Sequence, residues 1–205
     1  MKPNWDKEAI FLTKIPTPCK DEVEKYLNKW DTTETYRYHD RTLKLLFQDV
    51  FPENKKIEHI LIKANTLNSF YSAGVRYIEI IPLSKHIHKL NIDDDLQEGK
   101  LSLVEKIRKA EDVRDLYSFA TKYCSHHNPT AFPIYDSYVE KALWHFKKED
   151  EFYNFKRKEL QDYLTFNEVL EEFANFYNLK RSVKYFNIKK LDQYLWQLGK
   201  DYPDI

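Results

Sequence analysis

Apolar positions recur at three- and four-residue spacing over most of this chain, the period of a helix with one buried face. Only three glycines occur in 205 residues, which leaves few places for tight hairpin turns. The pattern therefore predicts an all-α protein. Pro16, Thr17 and Pro18 precede a helix over about 20–29, and a second runs near 34–48 until Pro52 and Asn54 stop it. Ile57, Ile60, Leu61, Ala64, Leu67, Phe70 and Tyr71 share one side of a third, which closes at Gly74. The stretch VRYIEII ends at Pro82, a short helix follows to about 90, and NIDDDLQEGK is a polar run in which Asp93 to Asp95 read as a loop. LSLVEKIRKA and DVRDLYSFATKYCSHH then form two helices with a break near Glu111 and Asp112, a helix-turn-helix candidate. After FPIY, DSYVEKALWHFKK is helical, and further helices are expected near 155–163, 166–178 and 188–199. There is no repeat and no low-complexity tract.

Length and composition narrow the partners. A chain of this size buries roughly two-thirds of its unfolded surface, so 1–205 is expected to form one compact helical unit with a core over 57–143. Two lobes sharing one cleft would fit the same span, with 1–56 and 144–205 supplying the outer helices. Aromatic residues make up 16%, with 15 Tyr and 13 Phe, so clefts should be lined by rings that stack as well as fill space. Lys plus Arg equal Asp plus Glu at 33 each, and any polyanion must be held by a local patch. Cys19 and Cys124 supply neither a disulfide framework nor the four thiolates of an iron-sulfur cluster, so no cofactor is expected. MKPNWDKEAI lacks an apolar signal-peptide core, and no stretch of about eighteen apolar residues occurs. A soluble, cytoplasmic monomer with no membrane partner is the expectation.

Candidate chemistry centres on FPIYDSYV at 132–139, where Asp136 stands between an apolar strip and the next helix. Aspartate caps helices well, because its carboxylate accepts a backbone N–H of the first turn. The helix dipole would also keep the carboxylate ionised. A capping role and a catalytic role are compatible.

The order ILIKANTLNSFY, a helix pair carrying Ser-Phe-Ala-Thr, then FPIYDSYVEKAL resembles the helix-hairpin-helix DNA glycosylases, nearest their adenine (MutY-type) branch, over 57–143. The resemblance implies a two-lobed all-α glycosylase-like fold, DNA as partner, and Asp136 as the essential carboxylate. One anion beneath the sugar stabilises the positive charge that develops as an N-glycosidic bond breaks. The family's bifunctional members carry a sugar-attacking lysine eighteen residues before the Asp; here that position is Ser118, which implies a monofunctional enzyme. Lys122, one turn on, is off that spacing and reads as a surface residue. The resemblance also implies that Asn65 and Thr66 enter the DNA stack, and a displaced base would stack on rings such as Tyr36, Tyr38, Phe70 or Tyr71. The family hairpin is glycine-rich, whereas this chain offers AEDVRDLYS, so the hairpin is degenerate and Arg114 is left to hold a phosphate.

Other backbone contacts are expected from His126 and His127 and from Lys180, Arg181 and Lys184, in a basic cluster that also holds Lys189 and Lys190 with Tyr185 and Phe186 between them. Cys124, His126 and His127 lack zinc-ligand spacing, and Cys124 reads as a core residue. Two functions stay open: a monofunctional glycosylase acting on damaged DNA or on modified bases of viral DNA in antiviral defence, and a non-catalytic helical module that binds DNA or protein.

Overall fold

The structure is a computed structural model and describes residues 15–203. It is all-α, with no strand among the described residues. The first helices are α1 (Lys20–Thr32) and α2 (Glu34–Lys44), the latter running on through a π-helical turn at Leu45–Val50. Next come α3 (Ile57–Tyr71), α4 (Tyr77–Leu90), α5 (Asp93–Gln97), α6 (Ser102–Arg108) and α7 (Tyr117–His127). The chain ends with α8 (Ser137–Asp150), a 3-10 turn at Arg157–Gln161, α9 (Tyr163–Phe176), α10 (Leu179–Ser182) and α11 (Ile188–Asp201). Buried side chains from Val23 of α1 to Leu198 of α11 form one continuous cluster.

Three local expectations need correction. Pro82 does not end an element: it lies inside α4, which starts at Tyr77. Its missing N–H removes one helical bond, but the first turn is fastened by buried Glu79. That carboxylate accepts from Arg76 N at 2.8 Å and from the Arg76 guanidinium at 2.6 Å. The polar run after Asn91 is not a plain loop, because it contains α5. Asp93 there accepts from Asn54 N and Nδ2, and Asp95 pairs with Lys100 and Lys106. The break between α6 and α7 is wider than expected, since α7 begins only at Tyr117. Arg108 spans it, donating to Asp115 from two nitrogens and to Gln161 O at 2.6 Å. Asp112 takes the left-handed conformation, φ 59°, where a glycine would be easiest.

Segment 132–136 is irregular and, up to Tyr135, buried. Its backbone groups need partners there. Tyr135 N donates to Thr121 Oγ1 of α7, and Tyr135 O accepts from Ser118 Oγ. Ile134 N donates to Asp192 Oδ2 of α11, and Pro133 O accepts from Tyr163 OH of α9. Side chains of three helices thus clamp the strip that delivers Asp136. Helix α11 also lies hard against the start of α8, because a Cβ at Gly199 would sit 2.4 Å from Tyr138 O.

Candidate active site

Asp136 caps α8, its Oδ1 accepting Tyr138 N at 3.0 Å. The second oxygen, Oδ2, lies 3.3 Å from Lys122 Nζ. Lys122 is not a surface residue: its side chain is 3% exposed, since the rest of α7 is buried around it. Ser118 stands one turn below on the same face and accepts from Lys122 Nζ at 2.5 Å while donating to Tyr135 O. The residue that suggested a missing lysine therefore positions one. Burial lowers the Lys122 amine below the ordinary lysine value, and Asp136 counters this only in part.

Two further charges complete the group. Asp192 of α11 is 4% exposed, and burial pushes its carboxyl up to about 6 against the pull of Lys189 and the Ile134 N–H. Lys189 Nζ lies 3.4 Å from Asp192 Oδ1. Lys122, Asp136, Lys189 and Asp192 line one cavity of about 20 Å³, with Trp30, Tyr71 and Trp196 among its other walls. That is room for a water molecule or a reacting atom, not a base. Those three rings also bound an adjoining cleft of about 200 Å³ between α1, α2, α3 and α11. The arrangement places an amine of lowered basicity against a fixed carboxylate, at the end of an aromatic cleft.

Of the rings expected in a base pocket, Tyr36, Phe70 and Tyr71 line this cleft. Tyr38 does not; it is 51% exposed, under Arg37. Asn65 and Thr66 are turned back on α3, donating to Leu61 O and Ile62 O, and line none of these cavities. Arg114 is anchored on Glu79 at 3.5 Å yet half exposed. Burial and nearby lysines correct the reading of His126 and His127 as backbone contacts. His126 accepts from, or donates to, Tyr71 OH at 3.0 Å, and His127 meets Lys63 Nζ at 3.1 Å. Both imidazoles are held well below the usual histidine range, chiefly by burial, so neither offers a cation to phosphate. Lys180 is paired with Glu171, Lys184 lies over the Tyr185 ring, and Arg181 is exposed. Cys124 is buried and burial raises its thiol, as suits a core residue.

Sequence reasoning missed Lys122, Asp192, Trp30 and Trp196 as site residues, and it placed Lys189 in a basic cluster, whereas Lys189 lies against Asp192. One signal was present: Lys122 is the one Lys, Arg, Asp or Glu in the helix YSFATKYCSHH. No periodicity brings α11 to α7.

Residues 22–131 match the family model HI_0787_N, described as an N-terminal domain, and so cover just over half of the chain. The chain belongs to the HI_0787_N family. A Haemophilus influenzae protein described as uncharacterized is 44% identical over 149 residues, 71% of this chain and 68% of that protein. No solved structure matches. The HI_0787_N match ends at Ala131, so Ser118 and Lys122 fall inside it, while Asp136, Lys189 and Asp192 follow it. The candidate site of this HI_0787_N protein is thus assembled across the end of the matched domain. Among the described residues, no helix is long and apolar enough to cross a membrane.

Proposed function

We propose that this protein is a DNA N-glycosylase in which Lys122 and Asp136 act together on the deoxyribose of a base displaced from the stack. The supporting observation is the buried Lys122 amine, 3.3 Å from a carboxylate that a helix N-terminus fixes. The resemblance of FPIYDSYV to the glycosylase segment supplies the substrate class. A neutral Lys122 Nζ bonds to C1′ while the glycosidic electron pair leaves on the base nitrogen, which takes a proton. Asp136 stabilises the positive charge at the sugar and accepts a proton from Nζ. Opening of the sugar ring then leaves a Schiff base between Lys122 and C1′, with the electron pair on O4′. The expectation of a monofunctional enzyme rested on Ser118; an amine hydrogen-bonded to that serine makes a covalent, bifunctional route the better proposal. No second domain or cofactor is required.

The test is borohydride trapping on duplexes carrying a panel of damaged and modified bases. A covalent DNA adduct that Lys122→Met abolishes is the expected result, with the folded state checked by circular dichroism. Base release without an adduct would return the mechanism to activated water. Neither release nor adduct across the panel would leave a helical binding module, with Lys122 and Asp136 a buried ion pair.

A further inference from the structure

We infer that the cleft beside Lys122 is a base-reading site selective for guanine-type purines, with the Asp40 carboxylate as the reading group. The inference rests on the glycosylase proposal for its biological substrate, but its physical argument stands on the cleft. The walls are aromatic: Trp30 and Tyr36 centroids are 4.9 Å apart, and Trp196 packs edge-on to them at 5.6 and 5.4 Å. Phe70 is covered on one face by His39, stacked at 4.1 Å. A planar heterocycle is the ligand shape that such walls favour.

Two polar groups in these walls lack partners. Trp30 Nε1 is buried and makes no hydrogen bond. Asp40, half-buried on α2, forms no hydrogen bond or ion pair among the described residues. Lys200, the other charge in the cleft, is instead tied to Tyr36 OH at 2.8 Å and lies over the Tyr36 and Trp196 rings. A carboxylate left without a partner among aromatic walls is what a ligand edge satisfies. Asp40 also lies near the Lys122 end, since Tyr71 and Asp192, raised chiefly by burial, are raised a little further by its charge.

The chemistry of the edge selects the base. A carboxylate only accepts, through two coplanar oxygens. Guanine presents N1–H and an N2 amino hydrogen side by side, matching both oxygens. Adenine and cytosine turn a ring lone pair next to their amino group toward the carboxylate. Thymine and uracil flank a single N–H with two carbonyl oxygens. Each of these sets like partial charges together, so only guanine, or a guanine altered away from its N1–N2 edge, satisfies Asp40 fully.

Titrations of the intact protein with deoxyguanosine, deoxyinosine, deoxyadenosine, deoxycytidine and thymidine test this, followed by tryptophan fluorescence and calorimetry. Deoxyguanosine is expected to bind on the order of tenfold more tightly than deoxyinosine, which lacks the amino group, and the others more weakly still. Asp40→Asn should remove that preference, and Trp30→Phe should weaken binding while keeping the preference. Equal binding of all five nucleosides, or none, would overturn the assignment, as would an unchanged preference in a folded Asp40→Asn protein. Guanine binding without base release from any DNA sinks the glycosylase reading alone. Base release with no preference for guanine sinks the base site alone.

Discussion

Two lysines are buried among the described residues, and they differ in what surrounds their amines. Lys63 of α3 has no exposure, and its Nζ donates to Phe51 O, Glu53 O and Asn54 Oδ1 at 2.7 to 3.1 Å and meets His127 Nε2. Tyr123 OH donates to the same Asn54 oxygen at 2.6 Å. Every direction is filled, no carboxylate touches the amine, and it lines none of the cavities. It fastens the loop after the π-helical turn to α3 and α7. Lys122 has two partners, a serine and a carboxylate, and faces open volume. Burial lowers both amines. Lowered basicity therefore does not mark a reactive site by itself; space for a reacting atom and a group able to exchange a proton do.

The sharpest break of the comparison is chemical. Asp136→Asn should reduce base release by about a thousandfold or more, because the charge opposite the sugar is gone. Asparagine still caps α8, so the thermal midpoint should change little. Lys63→Met, assayed per folded molecule on the same substrate, should release base at the parental rate. A strong loss of activity in that variant would dissolve the distinction.

Stability should divide the pair the other way. Lys63→Met strands the Phe51 and Glu53 carbonyls without a donor and leaves Asn54 Oδ1 with Tyr123 OH alone, at a cost of about 3 kcal/mol. Lys122→Met keeps the volume, and Asp136 retains its backbone partner, so about 1 kcal/mol is expected. Urea denaturation of both variants measures the difference, and equal losses would show that Lys122 is as structural as Lys63.

The pH dependence is smaller. Burial pulls the Lys63 amine down to about 7 from 10.5, so between those values the unfolded chain binds more protons than the folded one. Stability should then rise with pH above about 7, by at most about 1.4 kcal/mol per unit, and level off near 10.5. Lys63→Met should flatten this part of the urea-midpoint profile. A parental slope in the variant would assign it to another group.

Exposed cations should matter least. Lys180 is already engaged by Glu171, so replacing Lys180, Arg181 and Lys184 together should flatten the salt dependence of DNA affinity by about two units and leave base preference unchanged. A parental slope measured by fluorescence anisotropy would leave Lys189, Lys200 and Arg114 as the phosphate contacts.

Much of the helical layout was legible because burial on one face imposes a three- and four-residue period. The capping role of Asp136 followed from its place before an apolar run, and the core role of Cys124 from its helix. Pro82 misled although the staple that lets α4 run through it is local, since Glu79 accepts from Arg76 N and its guanidinium and Arg114 adds only a longer contact at 3.5 Å. His126 and His127 misled because a helix C-terminus is normally wet, whereas Tyr71, Lys63 and Phe47 cover this one.

The chain's own pattern determined an all-α architecture and the fixed carboxylate at Asp136, since both are local consequences of side-chain type and spacing. The partners of that carboxylate were decided only in three dimensions. Lys122 is turned toward Asp136 because Ser118 and the clamped 132–136 strip leave it one direction, and Asp192 arrives from α11, far along the chain. Helical period says which face of a helix is buried; it carries no term for which distant helix covers that face, and the chemistry here lies in that pairing.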